Sequence, residues 1–205
     1  VSMDPLFNFT GKVVLVTGGS RGLGRQMVLA FADRGADVVI ASRKLPACED
    51  VAREVVAKGR EALAYACHVG QWDAVGKLAD AAYERFGRVD VLINNAGMSP
   101  LYPSLEEMSE ELFDKVVGLN FKGPFRLSAL VASRMAKGAG GSIINISSTA
   151  SLNPSPTSEP YGAAKAALNS ITRSFAFAYG PKVRVNCIVA GPFLTDIAKA
   201  WDMDA

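Results

Sequence analysis

The sequence predicts an α/β protein built on one parallel, doubly wound β-sheet with helices on both faces. Three observations predict it. Short apolar runs alternate with helical stretches along all 205 residues. The runs are near-continuously apolar, as strands buried on both faces are, rather than alternating. The first run ends in a glycine-rich turn that opens directly into a helix.

Taken in order, residues 12–17 form the first strand around Val13-Val14-Leu15-Val16. Glycines follow, then an amphipathic helix over 22–34. Strands are expected at 37–41, 62–67, 89–93, 142–147 and 183–187. Helices are expected at 45–58, 72–86, 105–136 and 158–178, the 105–136 stretch broken around 118–123, between Gly118 and Gly123. Right-handed crossovers between such strands give a Rossmann-type sheet. No repeat or low-complexity segment interrupts the pattern, and a single domain over residues 1–205 is expected.

Composition narrows the functions. Twenty-two basic residues against 20 acidic ones give no electrostatic case for nucleic acid or an anionic membrane. No apolar stretch approaches the ~18 residues of a membrane span, and no basic segment followed by an apolar core opens the chain. Cys48, Cys67 and Cys187 have neither paired nor metal-like spacing, and Cys67 and Cys187 are expected to pack as small hydrophobes. His68 is the single histidine, which excludes a His-based triad and a multi-histidine metal site. A cytoplasmic protein without a metal is the expectation.

The glycine turn reads Thr17-Gly18-Gly19-Ser20-Arg21-Gly22-Leu23-Gly24. Between a strand and a helix, glycines permit a tight turn and let the backbone approach a pyrophosphate at the helix N-terminus. That placement points to a dinucleotide.

Tyr161 and Lys165 are four apart, so on a helix they share a face and their heads can converge. A nearby ammonium favours the phenolate and is expected to lower the Tyr161 pKa toward useful acid/base work. Ser158 is the expected N-cap of that helix, with Pro160 in its first turn. Ser148 lies thirteen residues before Tyr161. Adjacent Ser147 is its rival, but neighbours on a strand face opposite ways and the spacing favours Ser148.

Together with Asn94-Asn95-Ala96-Gly97, these motifs resemble the short-chain dehydrogenase/reductase family, from about Asn8 to Thr195. Gly18, Gly22 and Gly24 match that family's glycine spacing. Asn120, Ser148, Tyr161 and Lys165 match its four catalytic positions in order. The resemblance implies Tyr161 as general acid/base and Ser148 as a second donor to the reacting oxygen. It implies Lys165 as modulator of Tyr161 and ribose ligand, and Asn120 as the residue holding a water that links Lys165 to solvent. Asn94 is expected to mark a strand-end bend against the cofactor. The resemblance also points to NADP-preferring carbonyl or 3-oxoacyl reductases, and to homodimers or homotetramers formed through the helices around 105–136 and 158–178.

The cofactor-binding positions implied are Gly18, Ser20, Arg21, Gly22, Leu23, Gly24, Ser42, Arg43, His68, Val69, Asn95, Ala96, Gly97, Tyr161, Lys165, Gly191 and Thr195. The second strand ends Ala41-Ser42-Arg43-Lys44, without the acid that would bond the ribose hydroxyls of NAD and repel a 2′-phosphate. Ser42, Arg43 and Arg21 suit that phosphate, so NADP(H) is expected over NAD(H). The alternative is that both arginines are ordinary solvated residues. His68-Val69 stands where the family has Asp-Val, and a neutral imidazole can accept one bond from the adenine amine; a structural or surface histidine is the equal alternative. Ala190 replaces a family proline before Gly191.

Leu101, Tyr102, Leu152, Pro154, Phe193 and Trp201 are expected to form an apolar substrate wall, with Met98–Pro103 and the 151–160 loop bordering the pocket. The resemblance implies a small-molecule carbonyl or alcohol as the substrate. Family members continue past Thr195 with a further helix and a seventh strand, and this sequence stops at Ala205, so the expectation is either an incomplete chain or an absent lid and last strand. The competing function is a non-catalytic dinucleotide sensor or scaffold of the same fold. A sugar-nucleotide epimerase is disfavoured by the spacing of the glycine turn.

Overall fold

A computed structural model describes residues 5–153 and 156–193. Six parallel strands form one sheet: β1 (Val13–Thr17), β2 (Asp37–Ser42), β3 (Ala62–Ala66), β4 (Val91–Asn94), β5 (Gly141–Ser148) and β6 (Val183–Ala190). Their spatial order is β3-β2-β1-β4-β5-β6. The order reverses between β1 and β4, so their carboxyl ends diverge into the crevice where open α/β sheets bind ligands.

The helices are α1 (Gly22–Asp33), α2 (Leu45–Ala57), α3 (Trp72–Phe86), α4 (Glu110–Val117), α5 (Gly123–Lys137) and α6 (Glu159–Tyr179). Alternate residues of each strand feed two cores. Val14, Val16, Val38 and Ile40 pack with Val28 of α1 and Val51 and Val55 of α2. Leu15, Val39 and Leu92 face the other way, against Leu78 of α3 and Leu127 and Val131 of α5. A strand buried on both faces has no reason to alternate in polarity, which is why these runs read as continuous.

The boundaries depart from expectation in three informative places. The stretch expected to break around 118–123 stays helical, through a π-helical turn at Gly118–Lys122. Gly123 explains the local demand for glycine: a Cβ there would lie 2.0 Å from the Val69 carbonyl oxygen. The helix before it begins at Glu110 rather than 105, where the Ser109 side chain accepts the Leu112 N–H at 3.2 Å. β5 and β6 run to Ser148 and Ala190, past the expected ends at 147 and 187, which makes Ser148 the last residue of its strand.

Cys48 and Cys67 are buried free thiols. Cys187 is half-buried and makes a polar contact expected of no mere hydrophobe: its Sγ donates to Asn169 Oδ1 at 3.2 Å. Among the described residues, no helix is long and apolar enough to cross a membrane.

Candidate active site

The glycine turn is fixed by sterics. Gly18 and Gly22 have φ of +67° and +52°, the left-handed region that favours glycine. Gly24 is needed for a different reason: a Cβ there would sit 2.2 Å from the Gly18 carbonyl oxygen and 2.5 Å from Asn95 Nδ2. The start of α1 thus lies directly on the turn. Asn95 ties the turn down from the neighbouring strand end, its Nδ2 donating to the Thr17 and Gly18 carbonyls at 3.0 and 3.3 Å. The Thr17 hydroxyl in turn accepts the N–H groups of Asn95 and Ala96 at 3.0 and 3.1 Å.

Beside this cradle the Ser20 hydroxyl donates to Ser42 Oγ at 2.8 Å, joining the turn to the end of β2. Arg21 and Arg43 flank the pair, exposed. Neither forms an ion pair among the described residues, where eight other cations do. His68 is exposed at the end of β3, and its Nδ1 accepts the Gly70 N–H at 3.2 Å. The neutral ring then carries its proton on Nε2 and offers a donor there. Val69 is buried in the core, and Leu23 is half-buried in the first turn of α1. Gly191 follows β6 with open space about its α-carbon, whereas Thr195, Pro154 and Trp201 lie outside the described residues.

Ser147 and Ser148 point apart, as neighbours on a strand must. Ser147 is buried and donates to the Lys165 carbonyl at 3.3 Å. Ser148 Oγ accepts the Ala150 N–H at 3.2 Å, which leaves its proton free to donate. Its backbone is held by Ser151, whose hydroxyl donates to the Ser148 carbonyl at 2.6 Å and accepts from Asn169 Nδ2 at 2.8 Å. Gly162 lets α6 settle onto this turn: a Cβ there would lie 2.6 Å from the Ala150 carbonyl oxygen. The close approach brings Tyr161 to Ser148, whose hydrogen bond favours the phenolate.

Burial outweighs that bond. It pushes the Tyr161 phenol above its ordinary value, and Lys165 is not among the groups that pull it back. The Lys165 ammonium stands 5.6 Å from the Tyr161 ring centroid and donates to the Ile146 carbonyl at 2.7 Å. Its own pKa is pushed down to about 8 by burial. The expected lowering of Tyr161 by Lys165 is therefore corrected. Desolvation disfavours charge on both groups, and the phenol stays protonated at neutral pH.

This has a measurable consequence. Between pH 8 and 10.5 the unfolded chain holds more protons at Lys165 than the folded one, so stability rises with pH across that window. Relative to a Lys165→Met variant, the wild-type thermal midpoint should gain as pH climbs from 7 to 10. A difference that stays flat would contradict the buried, depressed ammonium.

Asn120 is fully buried in the π-helical turn. Its Nδ2 donates to the Met98 and Val116 carbonyls at 2.8 and 2.9 Å, and its Oδ1 accepts the Met98 N–H at 3.2 Å. Between Asn120 and Lys165 lies Gly97, where a Cβ would come within 2.9 Å of Asn120 Oδ1 and 3.5 Å of Lys165 Nζ. Asn94, the last residue of β4, is buried. Its amide points into the interior, donating to Ser128 Oγ and Asn145 Oδ1, each at 2.8 Å, and Asn145 donates onward to Thr172 at 2.9 Å.

The chain matches the short chain dehydrogenase family over residues 12–205. It belongs to the short-chain dehydrogenase/reductase family. It is 34% identical over 202 residues to human dehydrogenase/reductase SDR family member 4, spanning 98% of this chain and 72% of that one. A 7 alpha-hydroxysteroid dehydrogenase solved with NADH and 7-oxo glycochenodeoxycholic acid superposes with a TM-score of 0.91 at 35% identity, covering 97% of this chain and 77% of that one. A metagenomic short-chain oxidoreductase solved with NADP gives a TM-score of 0.85 at 35% identity, over 90% and 84% of the two chains. This short-chain dehydrogenase/reductase is thus a dinucleotide-dependent oxidoreductase acting on a small molecule.

Several residues that shape its site carry no sequence signal of their own. Thr17 and Gly162 read as ordinary strand and helix residues, and Tyr102 reads as pocket wall. Tyr102 is instead buried, and its hydroxyl engages Glu159 at the start of α6.

Proposed function

We propose that this enzyme is an NADP(H)-dependent carbonyl reductase in which Tyr161 is the proton donor. The observation that carries the reading is the half-buried phenol of Tyr161 against Ser148, with buried Lys165 one helical turn away. The residues present suit the cofactor. Gly18 and Gly24 pack too closely on the turn and Asn95 for any Cβ, and Gly22 takes a left-handed φ of +52°, so the turn presents bare backbone to a pyrophosphate, with Asn95 bracing it. Arg21 and Arg43 beside the Ser20–Ser42 pair would hold a 2′-phosphate, and no carboxylate at the end of β2 opposes it. When bound, the nicotinamide supplies or accepts the hydride.

The chain's own groups manage the charge and the proton. As negative charge grows on the carbonyl oxygen, Ser148 and Tyr161 both aim donors at it. Ser148 keeps its proton for that use, since the bond from the Ala150 N–H occupies only a lone pair. Tyr161 then releases its proton to the oxygen, and in oxidation its phenolate takes one back. Lys165 and Asn120, which flank Gly97, would pass the replacement proton to Tyr161.

Two predictions follow from this reading. Arg43→Ala should weaken NADPH binding about tenfold or more while changing NADH little, since a charge-assisted fork to the phosphate is lost. Equal losses for both cofactors, by fluorescence titration, would remove Arg43 from the phosphate site. Because burial raises the Tyr161 pKa, reduction should run well at neutral pH and fall in alkali, while oxidation rises with pH as the phenolate forms. Parallel pH profiles in the two directions would contradict Tyr161 as the shared group.

Association into dimers or tetramers through α4, α5 and α6 is supported by Phe113, Phe125 and Phe177, which these helices leave exposed.

A further inference from the structure

The helix that carries Tyr161 starts without the cap its sequence promises. Ser158 occupies the N-cap position of α6, yet its side chain forms no capping hydrogen bond. The first N–H of the helix, that of Glu159, instead donates to the hydroxyl of Tyr102 at 3.0 Å. The same hydroxyl donates to the Glu159 carboxylate. The pair is reciprocal in the manner of a capping box, but one partner comes from 57 residues away. Tyr102 is only 8% exposed, so its ring is packed in place and its hydroxyl has little freedom to find another partner.

Tyr102 belongs to the segment 95–109 between β4 and α4, which is pinned at three points. Asn95 and Ala96 are held by Thr17, Met98 by Asn120, and Tyr102 by Glu159. Around the last anchor the segment exposes apolar side chains, Leu101 and Leu105, at 62% and 65%. Glu159 is two residues before Tyr161, so a shift of the first turn of α6 is passed to the phenol within half a helical turn.

We propose that Tyr102 is a positioning residue that caps the helix of Tyr161 from a distance and so couples the β4–α4 segment to the placement of the proton donor. The inference rests on Tyr161 being that donor. A segment at the mouth of the site is bonded straight to the turn that sets the height of the phenol against Ser148. Anything that reorganises the segment, including a substrate packing on Leu101 and Leu105, then moves or steadies the donor through a single pair of hydrogen bonds.

The test is Tyr102→Phe, which keeps the ring and removes both bonds. The amide of Glu159 is one of the helix's orphan donors, with no partner inside the helix, so its protection from hydrogen exchange reports the cap directly. In the variant that amide should exchange about tenfold faster or more, with the amides of 165–172 unchanged. Reduction of an aliphatic 3-oxo ester by NADPH should lose about tenfold in kcat with an unchanged KM for NADPH. Glu159→Gln, which keeps both the N–H and an acceptor for the phenol, should stay near wild type in both readouts. Wild-type exchange at Glu159 in Tyr102→Phe would overturn the cap. Loss of protection along all of α6, or a raised NADPH KM, would reduce Tyr102 to a general structural role and overturn its positioning one. Tyr161→Phe on the same ester separates the two readings. If that variant is inactive and Tyr102→Phe turns over normally, the coupling fails and the donor stands. If Tyr161→Phe turns over normally, the donor assignment fails while the exchange data still judge the cap.

Discussion

Replacing Tyr161 with phenylalanine should lower turnover on the order of 10²–10⁴-fold while leaving dinucleotide affinity near wild type, the scale expected for loss of an acid/base group. The change removes one oxygen from a ring that is already packed on α6 beside Lys165. Nothing in the glycine turn, in the Ser20–Ser42 pair or in the two uncommitted arginines depends on that oxygen. Ser148 keeps its place, because Ala150 and Ser151 hold it from its own side. Single-turnover rates with NADPH, read beside binding titrations, check both halves of the expectation. Turnover within a few-fold of wild type would remove Tyr161 from the chemistry.

Gly24→Ala should be the most damaging change on the cofactor side. The new methyl carbon would meet the Gly18 carbonyl oxygen at 2.2 Å and Asn95 Nδ2 at 2.5 Å. The first of these is backbone, and the second is an amide already bonded to Thr17 and Gly18, so neither yields as a flexible chain end would. Relief requires α1 to back away from the turn, and overpacking of this sort costs about 1–3 kcal/mol. Because α1 and the turn together form the cradle, NADPH affinity should fall about tenfold or more alongside a lower thermal midpoint. Unchanged affinity in a destabilised variant would show that dinucleotide binding tolerates a displaced α1.

Local chemistry was legible in the sequence where one segment carries the whole signal. The glycine turn, the apolar run of each strand and the Tyr161–Lys165 spacing each reside in a dozen residues or fewer, and each lies in the expected strand, turn or helix, with element ends shifted by a few residues. The direction of the Tyr161 pKa was not legible. A four-residue spacing announces proximity to a cation, but the balance between that cation and desolvation depends on burial, and burial depends on how closely Gly162 lets α6 approach Ala150. The role of Asn94 was illegible for a similar reason: an Asn at a strand end suits a turn, and only the positions of Ser128 and Asn145 reveal that it faces inward. Tyr102 was the largest miss, since its partner Glu159 lies 57 residues away, beyond any local pattern.

The account's central claim is that this chain moves a hydride between a nicotinamide and a carbonyl carbon rather than merely binding a dinucleotide. The most direct measurement is mass spectrometry of the alcohol formed when the protein is incubated with NADPH deuterated at the transferable position and a panel of 3-oxo esters, cyclic ketones and oxo-steroids. The account predicts one deuterium on the carbinol carbon of at least one product, with none when Tyr161→Phe replaces the wild type under the same conditions. Saturable NADPH binding with no deuterated alcohol from any carbonyl in the panel would contradict it, and would make the protein a dinucleotide-binding scaffold instead.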